Sequence, residues 1–509
     1  MKEQIAKAPL YEALLKHRDG SPISMHVPGH KSGEGLDDTD FKELLPVFSI
    51  DVTELADTDD LHHPEGAILK AQQLAALCFG AEETHFLVGG STAGNLAMIL
   101  AVCKQGDSII IQRNVHKSVI HGLMLAGAEP VFVMPEIDTE TGLPTVPALK
   151  SIKEALHRYP DAKAVLLSTP NYYGMSTDLQ PYADAAHLAG VPLLVDEAHG
   201  AHYGLHSAFP KSALQQGADI VVQSTHKTLT AMTMAAMLHV RGSLVNSKRL
   251  KHALTMVQST SPSYPLLASL DITRAQLDCK GPGYFSKGLA AVEHFKARLQ
   301  SAGLPIRLIG DNGISHTAYE ALDPLRPVIY DSSGRVSGYM LLKLLSNQGI
   351  WAEMADERHV VLIFGANTEL DTADRLVDVL ITIMAQLDSN HGEAEEAVSM
   401  AAVSSIGLAF ASADPVQAPF RIQRQLPEDE ETEQVSVEKA AGRIAAEMII
   451  PYPPGIPLVY HGETISVEVI QVITGLAARG ARFQQAELAG IPSIRVMKRK
   501  NEHNKKVQV

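Results

Sequence analysis

Short, wholly apolar runs alternating with helical stretches constrain this chain more than any other feature. Between about residues 41 and 260 the runs Ile109–Gln112, Pro130–Val133, Ala164–Leu167, Val191–Val195 and Ile220–Val222 are each flanked by segments with helical spacing. Strands of this kind, joined by helical crossovers, specify a mostly parallel sheet wrapped by helices. In such sheets the ligand crevice lies outside the carboxyl ends of the strands. The residues that follow each strand are therefore the candidate functional ones.

Two strand ends carry complementary chemistry. The segment VPLLVDEAHGAH ends its strand on Asp196, and GADIVVQSTHK opens from Ile220–Val222 into a polar loop ending on Lys227. A carboxylate facing a pyridinium nitrogen and an amine able to form a Schiff base are what pyridoxal phosphate (PLP) requires of a protein. Either residue alone reads better as an ordinary buried acid or surface lysine. A third junction supports the pair: in HFLVGGSTAGNLAMILAV, Gly89-Gly90-Ser91-Thr92 lies between a strand at His85–Val88 and a helix at Asn95–Val102. Glycines permit close backbone approach, and free N–H groups at a helix start favour an anion. Ser91 and Thr92 can cap the helix or donate to a phosphate. The motif is neither GxxxxGK[ST] nor GxGxxG, so nucleotide and dinucleotide sites are poorly matched. A phosphate cup, an acid and a lysine, in that order, indicate a cofactor site.

At 509 residues the chain exceeds one core, so several domains are expected. The pattern divides it into an N-terminal segment 1–40, a large cofactor-binding domain 41–265, a small α+β domain 266–390 and a C-terminal domain 391–509. Long helices (Phe285–Ala302, Ser337–Gln348, Thr372–Leu387) and the strand Val360–Phe364 mark the small domain, and SNHGEAEEA (389–397) reads as a linker. With 43 basic against 58 acidic residues the net charge is −15, which argues against nucleic acid as the main partner. Cys78, Cys103 and Cys279 form no CxxC, so neither a disulfide framework nor a thiolate metal site is indicated. The start, MKEQIAKAPLYEALLKH, is an amphipathic helix pattern without the apolar core of a secretion signal. No apolar run approaches the roughly 18 residues of a membrane span. A cytoplasmic protein without membrane contact is expected.

The segments HVPGHK (26–31), DDLHHPEG (59–66), RNVHKS (113–118), VDEAHGAH (195–202), STHK (224–227), TSPSYPLLASLD (260–271) and IPYPPGIPL (450–458) resemble the bacterial ornithine/lysine/arginine decarboxylase family. The likeness runs over nearly the whole chain and is nearest to the short Bacillus-type members. It implies an α/β protein of PLP fold type I (aspartate aminotransferase-like), with a small α+β domain and a C-terminal α+β domain. It makes Lys227 the Schiff-base lysine and Asp196 the partner of the pyridine nitrogen, and it puts Ser91, Thr92, Ser224 and His226 around the phosphate. His116 would lie against the ring and His199 near its edge, where His199 or Lys227 could return a proton to the reacting carbon. Thr260 would reach into a neighbouring subunit's site, implying a homodimer or larger homo-oligomer. The implied reaction is decarboxylation of a basic amino acid to a polyamine precursor: arginine first, then lysine, then ornithine. SerThrProAsnTyrTyrGly (168–174) departs from the family's usual Asn-Pro-Thr order, so its Asn and Thr receive no role. For the cationic substrate side chain, Glu353, Asp356, Glu447 and Glu463 are the candidate partners.

Rival readings remain at this level. His26 and His30 have zincin spacing, but Pro28-Gly29 breaks the helix that would align them. The same Asp–Lys pair also serves transamination or retro-aldol cleavage, and fold alone does not decide. An aminotransferase would use an arginine to clamp the α-carboxylate, with Arg358 the residue to suspect. A PLP-binding paralogue with little activity is the third alternative.

Overall fold

The computed structural model describes residues 7–36, 42–310, 318–389, 407, 410, 414–422, 427–452, 455–478, 481–484 and 493–499. The linker expected at 389–397 lies, beyond Ser389, outside the described residues.

Seven strands form the large sheet: β1 (Glu83–Leu87), β2 (Ser108–Gln112), β3 (Glu129–Val133), β4 (Val165–Ser168), β5 (Leu193–Asp196), β6 (Ile220–Gln223) and β7 (Ala236–Val240). Their spatial order is β1-β7-β6-β5-β4-β2-β3. Pairing from β6 through β3 is parallel, while β7 runs antiparallel to both β6 and β1. The expected parallel core is present; β7, which sequence reading did not single out, is inserted beside it.

Burial explains why these strands are apolar throughout instead of alternating. Ile109 and Ile111 pack on one face with Leu194, Ile220 and Val222. Ile110 packs on the other with Val165, Val195 and Val221. Helices cover both faces, so neither set meets water. Register then brings the strand ends level: Ser168 pairs with Asp196, and Asp196 with Val222.

The helix expected from Asn95 begins at Gly90 and runs to Val102. Gly89 has non-helical angles and acts as the cap, so the glycine-serine stretch becomes the first turn itself. This helix lies unusually close to the sheet at Gly94. A Cβ there would stand 2.4 Å from Val222 Cγ2 and 3.0 Å from Leu87 Cδ1.

Four short antiparallel strands, in the order Met354–Ala355, His359–Val361, Val328–Asp331, Ile306–Leu308, form a second sheet. Toward the end of the chain, Thr432–Ser436 pairs with Ser493–Met497, and Ile450–Tyr452 with Arg482–Gln484. The helix Val467–Ala478 contributes Ile473 and Leu476 to the cluster that these residues bury with Leu458 and Val459.

One buried arginine ties this last unit to the large sheet. Arg113, just past β2, donates to the carbonyls of Pro457 and Leu458 at 3.2 and 3.0 Å and to both carboxylate oxygens of Glu463. Its guanidinium lies 3.8 Å from the centroid of Tyr460, whose hydroxyl donates back to the Arg113 carbonyl at 2.8 Å. A fixed planar donor fork suits this combination of carbonyls, carboxylate and ring face. Glu463 is committed to that anchor. Among the described residues no helix is long and apolar enough to cross a membrane.

Gly94→Ala should cost about 1–3 kcal/mol, because Val222 is branched and held on a packed strand. Denaturant unfolding checks this; an unchanged midpoint would contradict the close packing of the Gly90 helix.

Candidate active site

A cleft of about 710 Å3, open to solvent, lies at the carboxyl ends of the parallel strands. Ser91, His116, Asp196, His199 and Lys227 line it, together with Gln112, Asn114, Leu143, Tyr172 and Ile456 among others. Ile456 comes from the segment that Arg113 anchors, so the end of the chain contributes a wall.

Asp196 is the last residue of β5 and is buried. Two donors hold it: the Asn95 side-chain amide reaches Oδ2 at 2.8 Å, and the Ala198 backbone N–H reaches Oδ1 at 3.1 Å. Asn95 also donates to the Ser118 hydroxyl at 2.9 Å. Ser118 lies 2.8 Å from His116 Nδ1, which also accepts from the Ser118 backbone N–H at 3.2 Å and so caps the helix Lys117–Ala126. With Nδ1 accepting, the proton of neutral His116 belongs on Nε2. Burial pushes the pKa of His116 down to about 4, with Asp196 opposing and Lys227 reinforcing. Asn95 thus links the start of the Gly90 helix, the acid and the His116 cap.

Lys227 stands on a single helical turn, Thr225–Thr228, directly after β6. Its amine lies 3.0 Å from His199 Nε2. Burial lowers its pKa; Asp196 opposes this and Arg326 adds to it. His199 is likewise held well below the ordinary imidazole range, by burial first and then by Lys227 and Arg326. Tyr172 packs on its ring at 4.7 Å between centroids.

At its start the Gly90 helix has no side-chain cap, Ala93 N–H donates to the Gly89 carbonyl at 3.3 Å, and the N–H groups before it have no partner within the helix. The Ser91 and Ser224 hydroxyls are 2.9 Å apart, with Ser224 fully buried behind the cleft. Thr92 is exposed at the same turn, and His226 donates from Nδ1 toward the Ala235 carbonyl at 2.9 Å; neither lines the cleft. Thr260 is exposed and away from this chain's own cleft. A helix start with hydroxyls, a donor-held acid and a deprotonation-prone lysine in one cleft fit PLP.

Sequence reasoning missed Asn95, Ser118, Arg326 and Ile456. Asn95 was legible as the i+4 partner of Ser91, on the same helix face. Arg326 comes from a remote segment with no local signal. Of the four acids considered for the substrate side chain, Asp356 accepts from Tyr173 at 2.7 Å and also holds His359, Glu447 accepts from the Arg495 backbone at 2.9 Å, and Glu463 holds Arg113. Glu353 is exposed, and its charge acts on Lys227. Arg358 lies over the Tyr330 ring at 4.4 Å and does not line the cleft.

Two family models match the chain: the Orn/Lys/Arg decarboxylase major domain over residues 8–327 and the Orn/Lys/Arg decarboxylase C-terminal domain over residues 409–485. The chain is similar to an arginine decarboxylase of Bacillus subtilis, 37% identical with 97% of this chain and 98% of the relative covered. It is also similar to a B. subtilis protein named YaaO and described as uncharacterized, at 41% identity over 94% of this chain and 95% of that one. Among solved structures, lysine decarboxylase A from Pseudomonas aeruginosa aligns with a TM-score of 0.80 at 20% identity, covering 96% of this chain and 80% of that one.

Asn95→Leu should leave the fold intact and weaken PLP binding, since Asp196 keeps only the Ala198 donor. A lost hydrogen bond to a buried charge is worth about 1.5–3 kcal/mol, so the dissociation constant should rise roughly tenfold to a hundredfold. Titration of the cofactor-free protein with PLP measures it; an unchanged constant would show that Asn95 does not support Asp196.

Proposed function

The chain belongs to the Orn/Lys/Arg decarboxylase family, and from that premise we propose that it converts arginine to agmatine in preference to lysine or ornithine, supplying a polyamine precursor. It is a PLP-dependent decarboxylase of basic amino acids, and its structural neighbours have the same fold. The observation that carries the substrate preference is near-complete coverage, in both directions, by an arginine decarboxylase at 37% identity.

Bound in the cleft, PLP supplies a protonated ring that takes up the electron pair left at the substrate α-carbon when carbon dioxide departs. The residues of this chain provide the setting. Asp196, held by Asn95 and Ala198, favours the protonated ring nitrogen. Lys227 carries the amine that bonds the cofactor, and its lowered pKa supports a nucleophilic, unprotonated form. Ser91 and the first N–H groups of the Gly90 helix would receive the phosphate, with Ser224 supporting the Ser91 hydroxyl from behind. His116, held neutral, would lie against the ring. Leu143, Tyr172 and Ile456 wall the cleft and limit water around the departing carboxylate. Asp356, Glu447 and Glu463 are held by other groups, which leaves Glu353, outside the cleft lining, as the proposed partner of the cationic side chain. Thr260, exposed on this chain, completes a neighbouring copy's site in a homodimer.

The transaminase alternative loses its expected clamp, because Arg358 lies over Tyr330 and away from the cleft. Incubation of the PLP-loaded protein with arginine, lysine and ornithine separately tests the reading. Agmatine and carbon dioxide should form fastest, in a fraction of dimer size or larger, and Glu353→Gln should raise KM for arginine more than it lowers kcat. A keto acid as the product, or activity confined to the monomer, would contradict it.

A further inference from the structure

Lys227 ends a series of polar groups, linked by hydrogen bonds and one longer ion pair, that begins buried well behind the cleft. His202 Nε2 lies 3.0 Å from Asp323 Oδ1, and both side chains are almost fully buried. Asp323 Oδ2 faces Arg326 Nε at 3.9 Å. Arg326 Nη1 donates to the Tyr172 carbonyl at 3.0 Å and lies 2.9 Å from His199 Nδ1. His199 Nε2 in turn faces the Lys227 amine at 3.0 Å. Gly174 makes the approach possible: at φ +80°, a Cβ there would stand 3.0 Å from Asp323 Cβ and 3.3 Å from Arg326 Cδ. Arg326 lies behind His199 and does not line the cleft.

Proton accounting along this chain has one solution. A guanidinium has five N–H donors and no acceptor. The nitrogen that Arg326 faces on His199 therefore accepts, and cannot itself carry hydrogen. The single proton of a neutral imidazole is then on Nε2, the atom facing Lys227. An Nε2–H donor needs a lone pair opposite it, which the lysine amine offers only when neutral.

We propose that Arg326 is a positioning residue that fixes His199 as the neutral Nε2–H tautomer, so that His199 serves Lys227 as a hydrogen-bond donor and not as an acid or base. It rests on the assignment of Lys227 and His199 to the cofactor site. A cationic His199 would put a proton against the guanidinium, and loss of the Nε2 proton would leave an imidazolate. Neither form is accessible near neutral pH, so His199 is not the group that returns a proton to the substrate α-carbon. Asp323 balances the buried charge of Arg326, and His202 holds Asp323. The charged or titratable groups acting on His199 are Lys227, Arg326, His116 and His226, and those acting on Lys227 are Asp196, Arg326 and Glu353. Burial and the nearest cation oppose protonation at both positions.

The tautomer is read directly from nitrogen-15 spectra of histidine-labelled, cofactor-free protein, with His199 assigned by its loss in His199→Asn. The expected pattern is Nε2–H, unchanged from about pH 8 to about pH 5, below the ordinary histidine midpoint. An Nδ1–H pattern, or titration near the ordinary midpoint, would overturn the proposal whether or not the protein proves to be a decarboxylase. Arg326→Met should let His199 titrate. It should also move the acid limit for capture of added PLP, followed by absorbance, upward by about one pH unit, a tenfold loss at fixed pH below that limit. Arg326→Lys, which keeps the charge and a donor, should restore most of it. Asp323→Asn should shift the limit the other way, because the guanidinium loses its counter-charge. A purely structural role would lower stability with the tautomer and acid limit unchanged. If Arg326→Met does not fold, the wild-type spectrum decides alone.

Discussion

A carboxylate sealed at the end of a parallel strand is costly unless donors hold it, and Asp196 sets the terms for everything around it. Its donors come from two directions, the Asn95 side chain and the Ala198 backbone. Asn95 can reach it only because the Gly90 helix lies against the sheet at Gly94, where any side chain would meet Val222. One packing contact therefore fixes the distance between the helix start and the acid. The same amide, through Ser118, orients His116. The Gly90 helix start, Asp196 and His116 thus sit on one rigid frame, a condition for precise chemistry.

The opposite side of the cleft is built from distant parts of the chain. Arg113 draws the Pro457–Glu463 segment onto the end of β2 and brings Ile456 to the cleft wall. Arg326 and Asp323 close behind His199 and Lys227. Both arginines are buried, yet they do different things. Arg113 is fully occupied by carbonyls, a carboxylate and a ring, and serves assembly. Arg326 spends one nitrogen on His199, and its charge bears on the amine beyond.

Much of this was legible in sequence because it is local. The apolar runs gave the parallel core, and the strand-end rule brought Asp196, Lys227 and Ser91 to one cleft. Helix and strand boundaries moved by a few residues where caps decide them, as at Gly89. What was hidden is long-range. Strand β7 has an ordinary apolar run whose antiparallel direction depends on its neighbours β6 and β1. Arg326 lies about a hundred residues beyond Lys227, and no spacing links them. Glu463 looked like a substrate acid because sequence does not reveal that Arg113 already holds both its oxygens. Polar partners across domains are chosen by tertiary geometry, which periodicity does not encode.

Reduction of the PLP-loaded protein with borohydride, followed by peptide mapping, tests the central claim most directly. The account predicts one phosphopyridoxyl group, on Lys227, with its yield retained and its visible absorbance altered in Asp196→Asn. Label on a different lysine, or an absorbance indifferent to position 196, would contradict it.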